Sequence, residues 1–139
     1  MVDSRRPDEF KGGKMSFASE KIGRIPGAIN IVFPKILVGE KYKEFKSGQD
    51  IVDVLNSAGI NKNTNAFFSC VSGCFGTVMN FGARLMDYPN VAVYDGGWIE
   101  WSRRPYPVAT SEGIKKDPTP DEKKDKPKVS PPKPPQLGR

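Results

Sequence analysis

Two cysteines four residues apart, Cys70 and Cys74, are the side chains best suited to covalent chemistry in this sequence. They lie in the run Phe67-Phe68-Ser69-Cys70-Val71-Ser72-Gly73-Cys74-Phe75-Gly76-Thr77. An apolar stretch that reads as a buried strand ends at Cys70, small and glycine residues follow, and an apolar-periodic segment from Val78 to Met86 reads as a helix. Strand, short loop and helix N-terminus bring backbone N–H groups together on one point, where they carry partial positive charge. Such a point favours a thiolate over a thiol, and the thiolate is the nucleophile. The sequence has no histidine, which excludes Cys-His and Ser-His pairs and imidazole-based zinc sites within this chain. No metal and no organic cofactor is called for.

The rest of the chain reads as a scaffold for that loop. Apolar strands at about 28–32, 66–70 and 91–94 alternate with helical segments, the pattern of a mainly parallel sheet covered on both faces. Ile51, Val54, Leu55 and Ala58 recur at a helical period over Gln49 to Ala58, and Gly59 stands as the stop. A helical turn is expected at Pro7 to Phe10, a short helix at Lys41 to Phe45, and another over Trp98 to Arg103. In such sheets chemistry gathers at the carboxyl ends of the strands, and Cys70 is placed at one. Met1-Val2-Asp3 reads either as a very short strand or as the end of one entered part-way, and the second reading is preferred. A sheet lacking most of that strand would have an unpaired edge.

Composition divides the chain into a domain over 1–110 and a tail over 111–139. Seven of the thirteen prolines fall between Pro118 and Pro135, and apolar residues nearly vanish there, so a disordered, partly extended tail is expected. From Gly113 onward eight Lys/Arg face four acids, which puts +4 of the net +6 in the tail. A near-neutral domain beside a basic tail argues against a groove that tracks nucleic-acid phosphates. No apolar run reaches the length of a membrane span, so no membrane role is expected. Lys128 to Pro134 contains a P-x-x-P, a weak pattern for docking to polyproline-binding modules.

With these elements in place the chain resembles the rhodanese-like domain, the sulfurtransferase fold, over nearly all of residues 1 to 107. Four motifs in order carry the resemblance. Asp3-Ser4-Arg5 with Glu9, Phe10 and Gly12 is similar to the family's D-x-R…E-F-x-G opening. Gly23 to Asn30 is similar to G-H-I-P-G-A-I-N, with Arg24 in the histidine position. Cys70-Val71-Ser72-Gly73 falls where the active-site C-x-x-G loop stands, and Tyr94 to Trp101 is similar to Y-D-G-G-W-x-E-W.

The resemblance implies a three-layer α/β fold, with its first strand largely missing here, and a sulfur relay. Cys70 takes a sulfane sulfur from a donor as a persulfide and passes it to cyanide or a thiol. Val71, Ser72, Gly73, Cys74, Phe75 and Gly76 then form the substrate loop, whose amides stabilise the persulfide anion. Thiosulfate-preferring members carry basic residues in this loop, and this chain carries none. Ser72 matches mercaptopyruvate-type members, but Glu9 replaces their arginine and the serine's partner histidine is absent. A more neutral donor or a protein persulfide partner is therefore equally compatible. The resemblance also implies a second rhodanese domain in a longer parent chain.

Blander roles stand beside these. Cys70 fits a buried core position, and Cys74 fits either core packing or a resolving thiol that discharges the persulfide. Asp3, Arg5, Glu9 and Glu100 read as structural, with Arg5 paired to a carboxylate at the sheet edge. Trp98 and Trp101 read as packing, with Trp98 the one placed to reach the pocket. A cysteine phosphatase would need an arginine where Gly76 stands, which removes that class. A non-catalytic binding module is the remaining rival to the enzyme. Reduced thiol chemistry suits the cytoplasm, with export through a removed signal as the alternative.

Overall fold

The computed structural model describes residues 1–115. A four-stranded parallel sheet of order β2-β1-β5-β6 forms its centre, built from β1 (Val2–Asp3), β2 (Ile29–Asn30), β5 (Ala66–Ser69) and β6 (Val91–Val93). Val2 lies opposite both Ile29 and Phe68, and Phe68 lies opposite Val93, so one register line crosses all four strands. β1 is short, yet it lies inside the sheet and not at its edge. Its shortness is compensated by the next residues: Ser4 N–H continues the ladder to Ser69 O at 2.8 Å, and Ile31 N–H to Asp3 O at 3.1 Å.

Helices cover one face of the sheet. α2 (Gly48–Ser57) buries Ile51 and Leu55, and α3 (Cys74–Leu85) buries Met79 and Ala83, against Val2, Phe68 and Val91. α2 begins where the Ser47 hydroxyl accepts Asp50 N–H at 3.2 Å, and it stops at Gly59, which takes a left-handed φ of +77°. A second cluster of Ile25, Trp98 and Val108 gathers around α4 (Gly97–Arg103), with Met1, Tyr94 and Trp101 packed against it. α1 (Pro7–Lys11) follows β1 with a proline as its first residue.

Three expectations are corrected. The helix expected at Lys41 to Phe45 is an antiparallel hairpin, β3 (Leu37–Val38) with β4 (Glu44–Phe45), Leu37 facing Phe45. Gly39 turns the chain at φ +95°, Phe45 packs on the core, and Tyr42 is 72% exposed, so the two aromatics share no helical face. α3 starts at Cys74, four residues before the expected Val78, because the small residues that read as loop allow the helix to approach the sheet. The strand expected over 28–32 is confined to Ile29–Asn30, since Val32 already caps the 3₁₀ turn Phe33–Ile36 that Pro34 favours.

Toward the C-terminus, β7 (Val108–Thr110) and β8 (Gly113–Lys115) form an antiparallel hairpin. The composition change at Ser111 falls in its turn. The P-x-x-P stretch at Lys128 to Pro134 and most of the expected tail lie outside the described residues. Among the described residues no helix is long and apolar enough to cross a membrane.

Candidate active site

Cys70 leaves the carboxyl end of β5 and is 1% exposed. Two glycines then bring the chain sharply round into α3. Gly73 adopts φ +86°, and a Cβ there would stand 2.7 Å from Asp95 O, so both backbone and space demand glycine. Gly76 lies against the strand, where a Cβ would meet Ser69 Cα at 3.0 Å. This close approach places the Phe75 N–H on Cys70 Sγ at 3.3 Å. The first turn is closed by Thr77, whose N–H and hydroxyl both donate to Gly73 O, at 2.9 and 3.2 Å.

The other side of the loop is held by α4. Trp98 N–H donates to Cys70 O at 2.9 Å and Ile99 N–H donates to Val71 O at 3.0 Å. The Trp98 ring is buried, its indole N–H donates to Lys21 O at 3.1 Å, and the Arg5 guanidinium stacks 4.5 Å from the ring centroid. Trp98 is thus a packing residue under the loop.

Arg5 is fully engaged. Its Nη2 meets Asp3 Oδ2 at 2.6 Å and Gly23 O at 2.8 Å, its Nε donates to the Asp3 carboxylate at 3.0 Å, and Nη1 donates to Ser16 Oγ at 2.9 Å. Both members of this ion pair are buried. The expected carboxylate partner is therefore Asp3, and the pair closes the end of an interior strand, not an edge.

A cleft of about 470 Å³ opens beside the loop. Val71 and Phe75 meet Val32 and Phe33 across it, and Arg6 and Glu9 of the α1 start stand at its polar rim. Phe33 and Phe75 stack with ring centroids 3.9 Å apart and planes 3° from parallel. The Glu9 carboxylate accepts the Arg6 backbone N–H at 3.4 Å. Further off, the Tyr94 phenol is pushed above its usual range by burial, and then by the negative charge of Glu100 and a hydrogen bond to it.

The loop residues singled out in the sequence thus divide by place. Val71 and Phe75 line the cleft next to Cys70, whereas Gly73 and Gly76 are buried and shape the backbone. Ser72 and Cys74 are exposed, with Ser72 Oγ 3.3 Å from Cys74 Sγ. The core-packing reading of Cys74 is corrected by that exposure: as the first residue of α3 it precedes the side that faces the sheet. Sequence reasoning missed Phe33 and Arg6, and it missed Gly97. The Phe33–Phe75 pair spans the chain with no local signal, but Gly97 was readable as one half of a glycine pair before Trp98.

The match to the rhodanese-like domain family covers residues 1–104. Human 3-mercaptopyruvate sulfurtransferase is 32% identical over 81% of this chain and 38% of its own length. Chicken thiosulfate sulfurtransferase is 32% identical over 77% and 36%. The chain thus spans little more than a third of these relatives. Among solved structures, EanB carrying a cysteine persulfide in a state with ergothioneine superposes with a TM-score of 0.71 at 32% identity, covering 78% of this chain and 27% of that one. Tum1 of Saccharomyces cerevisiae superposes at 0.67 and 26% identity, over 79% and 39%. With the match running from the first residue through α4, and the loop geometry in place, the chain belongs to the rhodanese-like domain family.

Proposed function

We propose that this domain is a sulfurtransferase that carries sulfane sulfur as a persulfide on Cys70. The observation that carries the reading is the Phe75 N–H directed at Cys70 Sγ at the start of α3. The thiolate attacks the outer sulfur of the donor, forming the Cys70–S bond as the donor's bond to that sulfur breaks. The donor's remainder leaves with the bonding electrons. An acceptor thiolate or cyanide then attacks the outer sulfur and regenerates the Cys70 thiolate. No proton donor is needed on the attacking side, and the amide at the helix start offsets the anion in both states.

Relatives named as thiosulfate and 3-mercaptopyruvate sulfurtransferases, and a structural neighbour holding a cysteine persulfide, support the reading. The burial of Cys70 favours a second reading, a non-catalytic binding module. Sulfide release from an organic thiosulfonate in the presence of a dithiol acceptor separates the two. Turnover above background that Cys70→Ser abolishes is expected. Background release by the folded wild-type protein would leave the binding module standing.

A further inference from the structure

The buried cation that lines the cleft, Arg5, is already committed within the protein. Arg5 spends its guanidinium on Asp3, Ser16 and Gly23, and Arg6 at the rim is exposed, with the Glu9 carboxylate, which accepts its backbone N–H, also lining the cleft. Among the lining residues a small dianion would find the exposed Arg6 at the rim, facing the charge of the Glu9 carboxylate as well, and no second cation free to neutralise it. The walls offer the opposite chemistry. Pro7, Val32, Phe33, Val71 and Phe75 are apolar, and the Phe33–Phe75 stack presents aromatic surface at the lip, with Phe75 43% exposed. The amide of the same Phe75 holds the Cys70 sulfur, so one residue joins the apolar wall to the reacting atom.

Resting on the sulfur-relay reading above, we propose that the cleft selects an organic sulfane donor with an aromatic body. Its ring packs on the Phe33–Phe75 wall and its terminal sulfur is delivered to Cys70. For an aryl thiosulfonate, Ar–SO₂–S⁻, the Cys70 thiolate forms a bond to the terminal sulfur. The S–S bond of the donor breaks, and the aryl sulfinate leaves with the electron pair. Charge and electrons balance, so no oxidant or reductant enters. Cys70 does not itself line the cleft, but its neighbour Val71 does and the Phe75 amide donates to its sulfur, so the cleft ends next to the reacting atom.

Three probes test this: benzenethiosulfonate, methanethiosulfonate and inorganic thiosulfate. The rate of persulfide formation on the full chain is followed for each and divided by the rate of the same donor with a small free thiol. That normalisation removes differences in leaving-group reactivity. The aromatic donor is expected to exceed the methyl donor by about tenfold, the value of one good aromatic contact plus its buried area. Phe33→Leu, and separately Phe75→Leu, should bring this ratio down toward one. A normalised ratio near one in the wild type, or thiosulfate as the fastest donor, overturns the aromatic selectivity while leaving the relay intact. Absence of persulfide with all three donors, in a protein shown to be folded, overturns the relay and this proposal with it.

Discussion

The backbone N–H of Trp98 donates to the carbonyl of Cys70 at 2.9 Å, so the start of α4 fixes the peptide that carries the thiol. The adjacent bond from Ile99 N–H to Val71 O repeats the contact one residue on. The loop is therefore held from both sides: α3 reaches the sulfur through Phe75, and α4 reaches the carbonyls. The final motif of the sequence, Tyr94 to Trp101, acts on the site through its backbone.

Gly97 makes that clamp possible. It adopts φ +58°, and a Cβ there would lie 2.5 Å from Val71 O. Gly97→Ala is expected to cost about 1–3 kcal/mol in stability, from backbone strain and the clash. At 25 °C, in conditions where the variant is still folded, persulfide formation on Cys70 should also slow. Urea unfolding gives the first quantity and donor kinetics the second; wild-type values for both would show that the close approach is unimportant.

The buried Asp3–Arg5 pair makes a prediction of a different size. Asp3→Ala removes the counter-charge of an arginine that is 2% exposed and stacked on Trp98. Leaving such a charge uncompensated costs about 3–5 kcal/mol. Denaturant melts should show a loss in that range, and a change below about 1 kcal/mol would mean that water or another group replaces the carboxylate.

The two cysteines should differ in access to bulky reagents. Cys74 is exposed at the first position of α3, while Cys70 at the end of β5 is buried. A large maleimide is expected to label Cys74 first, and Cys74→Ser should remove the fast phase. Peptide mapping that finds Cys70 labelled first would contradict the burial of the thiol at the end of β5.

Alkaline stability follows from Tyr88. Burial pushes this phenol above its ordinary value, so the folded state holds the proton more tightly than the unfolded chain. Because the unfolded state loses its proton first, stability should fall as pH rises beyond about 10 and go on falling to the folded-state value. Tyr88→Phe should flatten this limb of a urea-midpoint profile at little other cost, since the phenol donates to Asn56 Oδ1 over a long 3.4 Å. An unchanged slope would assign the alkaline loss to other groups.

Much of this arrangement was legible in the residues. The apolar run ending at Cys70 announced a strand, and small residues after it announced a tight entry to a helix. Where reading failed, one residue type served two physical purposes. Gly76 looked like loop flexibility but serves close helix-on-sheet packing, which moved the start of α3 back to Cys74. Tyr42 and Phe45 have the spacing of one helical face, yet Gly39 turns the chain and only Phe45 packs inward. The cleft was less legible because it is tertiary. Phe33 and Phe75 meet only after α3 and the 3₁₀ turn pack together, and nothing near either residue encodes the other.

The most direct measurement of the central claim is the intact mass of the protein after exposure to an organic sulfane donor and removal of the excess. A gain of about 32 Da, one sulfur atom, is expected on the wild type, retained in Cys74→Ser and discharged by a thiol acceptor. Cys70→Ser should show no gain. An unchanged wild-type mass in folded protein, or an adduct that survives Cys70→Ser, would contradict the account.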